Sequence, residues 1–523
     1  MNFTVTLHDF LPLMPVIIVA LTAIIVMILT SLKRSHNLIA TASVIGLNIA
    51  LFYMLFKWAT AIDAHQSIAV ASVMGMFMVD SFTQFYQIMI LIAALACCTL
   101  SHAYIDNYQN NKEELYVLML FSVVGAMLLV ASSHYASFFI SLELMSIPVY
   151  GLLAYTHQRG KSLESGIKYL VLSATASAML LMGMAYVYAY TGNLSFYVQA
   201  DGVMPATENL IHQMEHNPFV VLGLGLMLFA VAFKLSLAPF HKWTPDVYQG
   251  APTPIATFLA TAAKVATLGF FIRYLLASGI IGLPSIQVIL TVFAVASIVL
   301  GNLLALRQTN LKRILAYSSI AHFGYILLAP ISMMFYSIPS VTMYILTYTL
   351  TTIGAFGVIT LMSSPYRNQG DDIDQLSAYN GLFWRHPILS ATLTVMMLSF
   401  AGVPATAGFI AKFLIVKDLI DGQSWWLALL LIAGSGIGLY YYLRVIVTLY
   451  KKPIESAQQV SPQANWGKQV GGVMVLLVSA LVLILGLYPD AILAVLDQVD
   501  IVSPLHDYLN YLNNGGSHAG HNH

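Results

Sequence analysis

A succession of apolar runs, each long enough to cross a bilayer and separated by short polar loops, constrains this chain more than any other feature. Runs suited to a span of about 17 to 25 residues fall at 11–32, 36–57, 80–101, 115–132, 134–155, 164–192, 217–239, 253–277, 281–305, 311–331, 338–362, 386–416, 424–450 and 469–495. In lipid every backbone polar group must find a partner within the protein, and a helix does this segment by segment. The expectation is an all-α polytopic membrane protein with about fourteen transmembrane helices. The weak apolar stretch at 67–79 leaves room for a longer third helix. The first run is followed by Lys33 and Arg34 and has no small-residue cleavage site, so it reads as a retained helix.

Only 8% of the side chains are charged, far from the roughly 25% of soluble domains. Lys plus Arg equals Asp plus Glu at 22 each, so net charge points to no nucleic-acid partner. Position is more informative. One set of alternate loops holds Lys33, Arg34, Lys112, Arg159, Lys161, Lys242, Arg307, Lys312, Arg313, Arg367, Arg385, Lys451, Lys452 and Lys468, whereas the other, with its helix ends, holds Lys57, Arg273 and Lys417. The positive-inside rule then puts both termini outside the cytoplasm. Lys168, Lys234, Lys264, Lys412 and Arg444 remain within or beside the spans.

Two spans are interrupted by similar words, KLSLAP at 234–239 and LSFAGVPATAG at 398–408. Proline removes a donor and frees carbonyls, and corresponding breaks in two halves are the sequence pointer to inverted repeats. Helices four to eight and nine to thirteen would form two five-helix blocks of opposite topology. The expected divisions are 1–110 for helices one to three, 111–280 and 281–452 for the two repeats, and 453–523 for the last helix and a polar tail. Ordinary kinked spans are the alternative reading of the prolines.

Lys264 stands about eleven residues into its run, roughly 16 Å of rise from either end, too deep for its stem to reach headgroups. A central lysine costs about 2.5 to 3.5 kcal/mol on insertion scales and marks a cavity, a partner or an ion path. Lys234, five residues before Pro239, and Lys412, eight after Pro404, flank the two breaks. Each is a candidate ion-path residue, or else an ammonium that caps freed carbonyls. Glu143, in SLELMSIPVYGL, has no basic residue on its own span and calls for a cation from another helix. Lys168 is divided between a relay role and an ordinary pair with Glu164 four residues before it. His241 and His322 carry protons near neutral pH and are possible relay groups, with a hydrogen-bonded structural histidine as the other reading. Asp80 reads as interfacial, and Arg444 as a side chain snorkelling to the basic side.

An ammonium has donors and no lone pair, so it repels Na⁺ rather than coordinating it, whereas a desolvated lysine exchanges protons. Protons are therefore the expected cargo. No Gly-rich nucleotide fingerprint, metal-ligand cluster or nucleophile constellation is present. Cys97 and Cys98 are adjacent and cannot supply the four ligands of an iron–sulfur cluster, so they read as packing residues. The tail GGSHAGHNH reads as a Gly-rich terminus rather than a metal site.

The strings SLELMSIPVYGL, FKLSLAPFHKWTPDVYQGAPTPIATFLATAAK, NLKRILAYSSIAHFGYIL and LSFAGVPATAGFIAKF closely resemble the antiporter-like subunit N family of bacterial NADH:quinone oxidoreductase, respiratory complex I. The resemblance covers about 80–495. It implies fourteen helices, two inverted five-helix repeats and proton pumping coupled to distant electron transfer. It makes Glu143 the motif glutamate, Lys234 the broken-helix lysine, Lys264 the central lysine and Lys412 the lysine of the second broken helix. Lys168 and His322 match family positions of less defined role. Sister subunit M typically has Glu where this chain has Lys412, and subunit L continues into a long lateral helix for which the residues after 495 leave no room.

The resemblance further implies a hetero-oligomer in the bacterial inner membrane, built with other complex I membrane subunits. FMN, iron–sulfur clusters, NADH and quinone would belong to those partners, with no cofactor on this chain. A subunit of a multisubunit cation/proton antiporter is the competing transport reading. A passive membrane scaffold is the competing reading without transport, and it leaves the costly midplane charges unexplained.

Overall fold

The structure, a computed structural model, describes residues 7–63, 70–106, 108, 111–196, 217–364, 371–452, 461–462 and 465–501. Arg367 and the histidine-bearing tail lie outside the described residues. The chain opens with α1 (Met14–Leu32) and α2 (His36–Asp63), followed by a hairpin of β1 (Ala71–Val73) and β2 (Phe77–Val79). Next come α3 (Ser81–Ile105), α4 (Glu114–Ala131), α5 (Tyr135–Leu153), α6 (Gly160–Thr191) and α7 (Pro218–Leu235). Short α8 (Trp243–Gly250) leads to α9 (Thr253–Ala260) and α10 (Ala262–Ala277). Then follow α11 (Pro284–Leu306), α12 (Leu311–Met333), α13 (Ile338–Ser363), α14 (Pro387–Ala401), α15 (Ala407–Asp421), α16 (Trp425–Tyr450), α17 (Val470–Leu487) and α18 (Asp490–Leu496).

Among the described residues thirteen helical segments are long and apolar enough to cross a membrane, with α9 and α10 as one of them, and α14 is a shorter apolar helix. Together with α15 it makes the fourteenth pass. The stretch before α3 does not lengthen that helix: residues 71–79 form a hairpin in which Ala71 pairs with Val79 and Val73 with Phe77. Met74 and Gly75 at its tip have φ of 53° and 67°, the two positive values of a tight hairpin turn matched to strand twist.

Helices α3, α9, α10, α12 and α13 are enclosed by protein, whereas α1, α2, α6, α11, α16 and α17 each expose a face of Leu, Ile and Val. An exposed apolar face suits lipid, which solvates it as well as protein would. Small residues set the closest approaches. A Cβ at Gly183 would lie 2.5 Å from the Gly223 carbonyl oxygen, and one at Gly125 would lie 2.3 Å from the Met145 nitrogen, so α6 meets α7 and α4 meets α5 backbone to backbone.

Two buried ion clusters tie the helices together near the ends of the spans. Asp80 accepts from the Thr83 amide at 2.8 Å, capping α3, and it clamps Arg273 of α10 at 2.6 and 2.9 Å. Arg273 also donates to Thr83 and to the Val130 carbonyl of α4. Asp80 is therefore an inward-facing partner and not the interfacial residue that its place at a helix entrance suggests.

At the other end Asp372, in the segment after α13, receives Lys312 of α12 at 2.6 Å, Tyr104 of α3 at 2.6 Å, Thr253 of α9 at 2.7 Å and Arg159 before α6 at 3.3 Å. Burial raises the Asp372 carboxyl, and the Lys312 ammonium and Arg159 guanidinium reverse this, leaving it well below the usual carboxylate range. Arg444 of α16 is half-buried and donates to the Leu306 and Gln308 carbonyls at the end of α11.

Candidate functional site

Both proline-marked breaks are real, and each is closed by a side-chain donor. Helix α7 stops at Leu235, Ser236 turns left-handed, and the Trp243 indole donates to the Phe233 carbonyl at 3.0 Å. Helix α14 stops at Ala401, Gly402 takes φ of +79°, and Lys412 from α15 donates to the Phe400 and Ala401 carbonyls at 2.8 and 3.0 Å. A third interruption, at Thr261 between α9 and α10, carries no proline and was not legible in the sequence.

Each break has a lysine at a helix end. Lys234 lies in the last turn of α7, and the Lys412 ammonium rests on the last carbonyls of α14. The C-terminus of a helix carries roughly half a negative charge, so it stabilises an ammonium without any carboxylate. For Lys412 the capping role expected of a structural lysine is therefore fulfilled.

Lys234 donates to the Ser146 and Ser173 hydroxyls, both at 2.7 Å, and lies 5.5 Å from the centre of the Tyr169 ring. Ser173 in turn bonds Tyr150 at 2.8 Å. Glu143, half-buried, accepts from Ser177 and acts on Lys234 through space. Glu143 and Lys234 are not within ion-pair distance: two serines, one from α5 and one from α6, hold the ammonium instead.

Lys264, in the first turn of α10, donates to Ser319 of α12 at 2.8 Å and lies 4.6 Å from the Phe323 ring and 5.8 Å from the Tyr248 ring. Ser319 shares a 2.6 Å hydrogen bond with Tyr348 of α13. One helical turn after Ser319, His322 is held at both nitrogens, Nδ1 against Tyr344 at 2.8 Å and Nε2 against Tyr442 at 3.0 Å. It also feels the charge of Lys412. Lys264, His322 and Lys412 are thus joined through Ser319, Tyr348 and Phe400, and Lys234 lies at the first proline break.

The other two candidates lie apart from this row. Lys168 is exposed and pairs with Glu164 at 2.6 Å and Asp246 at 3.2 Å, while Arg313 shares Asp246 at 2.8 Å. His241 is buried in the link between α7 and α8, and its Nδ1 has no hydrogen-bond partner. None of the described hydrogen bonds joins either residue to the lysine row. Among the described residues no group of three or more His, Cys, Asp or Glu side chains is arranged to hold a metal. Cys97 and Cys98 are buried and unpaired with each other.

Sequence reasoning missed the hydroxyls. Helical spacing would have exposed several: Ser146 is three residues after Glu143, Ser177 four after Ser173, and Ser319 three before His322, so each pair shares a helix face. It also missed Asp372, which looks like an ordinary loop aspartate.

Comparison with known proteins places the chain in a family. The family described as NADH:quinone oxidoreductase/Mrp antiporter, membrane region, matches residues 132–438. The chain is 64% identical over 510 residues to NADH-quinone oxidoreductase subunit N of Acinetobacter baumannii, covering 98% of this chain and 99% of that one. Among solved structures, a chain of respiratory complex I from Thermus thermophilus with bound aureothin superposes with a TM-score of 0.75 at 31% identity, over 92% of this chain and 98% of that one. A chain of the Mrp complex from a Dietzia species has a TM-score of 0.78 at 18% identity, over 95% and 97%, a likeness of fold.

Proposed function

The chain belongs to the NADH-quinone oxidoreductase subunit N family, and on that premise we propose that its buried lysine row carries protons across the membrane in series. It is a multi-pass membrane subunit of NADH:quinone oxidoreductase, the proton-pumping respiratory complex I, assembled with other membrane subunits. NADH oxidation and quinone reduction, with FMN and iron–sulfur clusters, take place on those partners, and this chain works on protons alone. It lies in the bacterial inner membrane with both termini outside the cytoplasm, a reading supported by the asymmetry of the basic loops. The two repeats run over 111–280 and 281–452.

One observation carries the proposal: three fully enclosed lysines lie in sequence, and among the described residues no carboxylate is within ion-pair distance of any of them. An ammonium held by hydroxyls and carbonyls keeps its charge solvated yet has no fixed counter-ion to prevent its loss. Glu143 sets the charge at Lys234 without a direct ion pair. Approach of the carboxylate stabilises the ammonium, and withdrawal leaves desolvation to expel the proton toward Lys264. His322 and Lys412 receive it, and the α14 carbonyls hold the charge at the second break. Lys168 and His241 are accessory, Lys168 at the exposed end of α6 and His241 in the first break.

An Mrp-type cation/proton antiporter shares the fold, so architecture does not separate the two transport readings. The 64% identity to subunit N over nearly the whole chain favours complex I. The test is to replace Lys264 or Lys412 by Ala and to measure NADH-driven proton pumping by membranes containing assembled complex. Pumping and, through tight coupling, NADH oxidation should fall by roughly tenfold or more, the scale of losing one positioned proton-transfer group. Pumping at the wild-type rate by both assembled variants would remove the lysines from the path.

A further inference from the structure

Ser319 has one hydrogen to give and more than one neighbour that can take it. A serine hydroxyl offers one hydrogen and two lone pairs. Lys264 Nζ, at 2.8 Å, has hydrogens to give and occupies one lone pair while it is charged. Tyr348, at 2.6 Å, takes a second position, and either oxygen can be the donor there. The Tyr248 ring centre lies 5.8 Å from the same Lys264 Nζ, and the Tyr248 hydroxyl is buried without a hydrogen-bond partner. Tyr248 comes from α8, between the two breaks and on the Lys234 side. Tyr348 comes from α13, on the side of His322 and Lys412. The central lysine therefore meets an unpartnered tyrosine of the first half through its ring and a bonded tyrosine of the second through the Ser319 hydroxyl.

We propose that the Ser319 hydroxyl is a two-position proton gate that loads Lys264 from the Tyr248 side and unloads it to the Tyr348 side. The inference rests on the relay reading given above and assigns to it the connecting atoms. In the charged setting the Lys264 ammonium has no lone pair, so Ser319 must accept from it and turns its own hydrogen to Tyr348. In the neutral setting the Lys264 amine has a lone pair, and Ser319 donates to it. The charge on Lys264 thus throws the gate.

The bonds balance in both strokes. In loading, an N–H bond forms at Lys264 as the Ser319 O–H breaks. The Ser319 O–H forms again from the Tyr248 hydrogen, and the first half re-protonates Tyr248. In unloading, a Lys264 N–H breaks in favour of Ser319, whose own hydrogen passes to Tyr348, and Tyr348 gives its hydrogen onward. No redox partner is required. On the onward side Thr351 of α13 bonds Ser399 of α14 at 3.0 Å, immediately before the two carbonyls that hold Lys412.

The experiment uses assembled complex in native membranes or reconstituted vesicles, with proton pumping and NADH oxidation read together in water and in deuterated water. Ser319→Ala, Tyr248→Phe and Tyr348→Phe should each lower pumping by roughly tenfold and enlarge the solvent isotope effect. Ser319→Thr, which keeps the hydroxyl, should retain at least about half the rate. The Ser319→Ala and Tyr348→Phe pair should be no worse than either alone, as expected for two members of one unit. If Ser319 merely solvates the ammonium, both Tyr→Phe variants pump normally and the gate is overturned, even where Ser319→Ala fails to assemble. Normal pumping by Ser319→Ala beside a Lys264→Ala variant that has lost it would overturn the gate and leave the relay standing. Normal pumping by Lys264→Ala would overturn the relay itself.

Discussion

Arg273 and Lys264 lie on the same helix, nine residues apart in α10, and both are enclosed by protein. Arg273 is clamped by a carboxylate at 2.6 Å. Lys264 meets a serine and two aromatic rings. The same division runs through the molecule. Near the ends of the spans, Asp80 with Arg273 and Asp372 with Lys312 and Arg159 are compact clusters of opposite charge. Between them, Lys234, Lys264 and Lys412 are solvated by hydroxyls, ring faces and helix-end carbonyls. Removing a proton from a paired group strands its partner, which holds the pair in one state. Removing a proton from an ammonium among neutral groups strands nothing, so both states are accessible. The end clusters hold the helices in place, and the lysines between them have no carboxylate within ion-pair distance among the described residues.

The largest effect should come from breaking an end cluster. Asp80→Ala leaves Arg273 enclosed and without its counter-ion, a change that costs about 3 to 5 kcal/mol for buried pairs. That is a large part of the stability of a typical domain, so the variant should be nearly absent from membranes when assembled complex is measured by native gel. Asp80→Leu combined with Arg273→Met removes both charges and should restore much of the assembled complex, because replacing a buried pair by apolar groups is near neutral. Recovery no better than the single variant would show that Arg273 matters through its bonds to Thr83 and Val130 more than through its charge.

A smaller effect on assembly, with a large one on pumping, should follow in the central row. Lys412→Met uncovers the Phe400 and Ala401 carbonyls, at about 1 to 3 kcal/mol for an unsatisfied buried group. It also removes a central ammonium that costs about 2.5 to 3.5 kcal/mol to insert. The two nearly cancel, so thermal stability of the purified complex should stay close to wild type. A loss of stability as large as that of Asp80→Ala would mean that Lys412 is a structural cap, and the contrast between the two regions would fail there.

The passes were legible because a span of apolar length leaves few options, and the breaks because proline within such a run has a physical cost. Lys264 and Lys412 were legible for the same reason: a charge deep in an apolar run is conspicuous. Asp80, Arg273 and Asp372 were not, since at the end of a run a charge looks interfacial, and only the packing of other helices decides whether it faces water. The partners of the lysines were also hidden. Glu143 called for a cation from another helix, and the structure gives it Ser177 while Ser146 and Ser173 hold Lys234. Serine in an apolar run carries no charge to betray it, so its role appears only when two helices are brought together.

The smallest expected effect tests the same contrast within two adjacent residues. Asp371 and Asp372 both bind Arg159, and Asp371 also binds Lys161 at 2.5 Å. The Asp371 side chain is 44% exposed and that of Asp372 only 2%. Burial raises the Asp371 carboxyl, and the Lys161 hydrogen bond and Arg159 charge outweigh it, so its pKa is lowered, like that of Asp372. A carboxyl with a lowered folded pKa contributes stability that is fully present above its unfolded value of about 3.9 and lost as pH falls through the folded one. Neither residue should therefore make thermal stability vary between about pH 5 and pH 8. In that window Asp371→Asn should cost about 0 to 1 kcal/mol, the usual worth of an exposed pair, and leave assembly and pumping unchanged. Asp372→Asn, one residue on, strands Lys312 among protein atoms and should cost about 3 to 5 kcal/mol. Equal losses from the two variants would show that the loop acts as one charge cluster, and that burial is not what separates fixed charges from exchangeable ones.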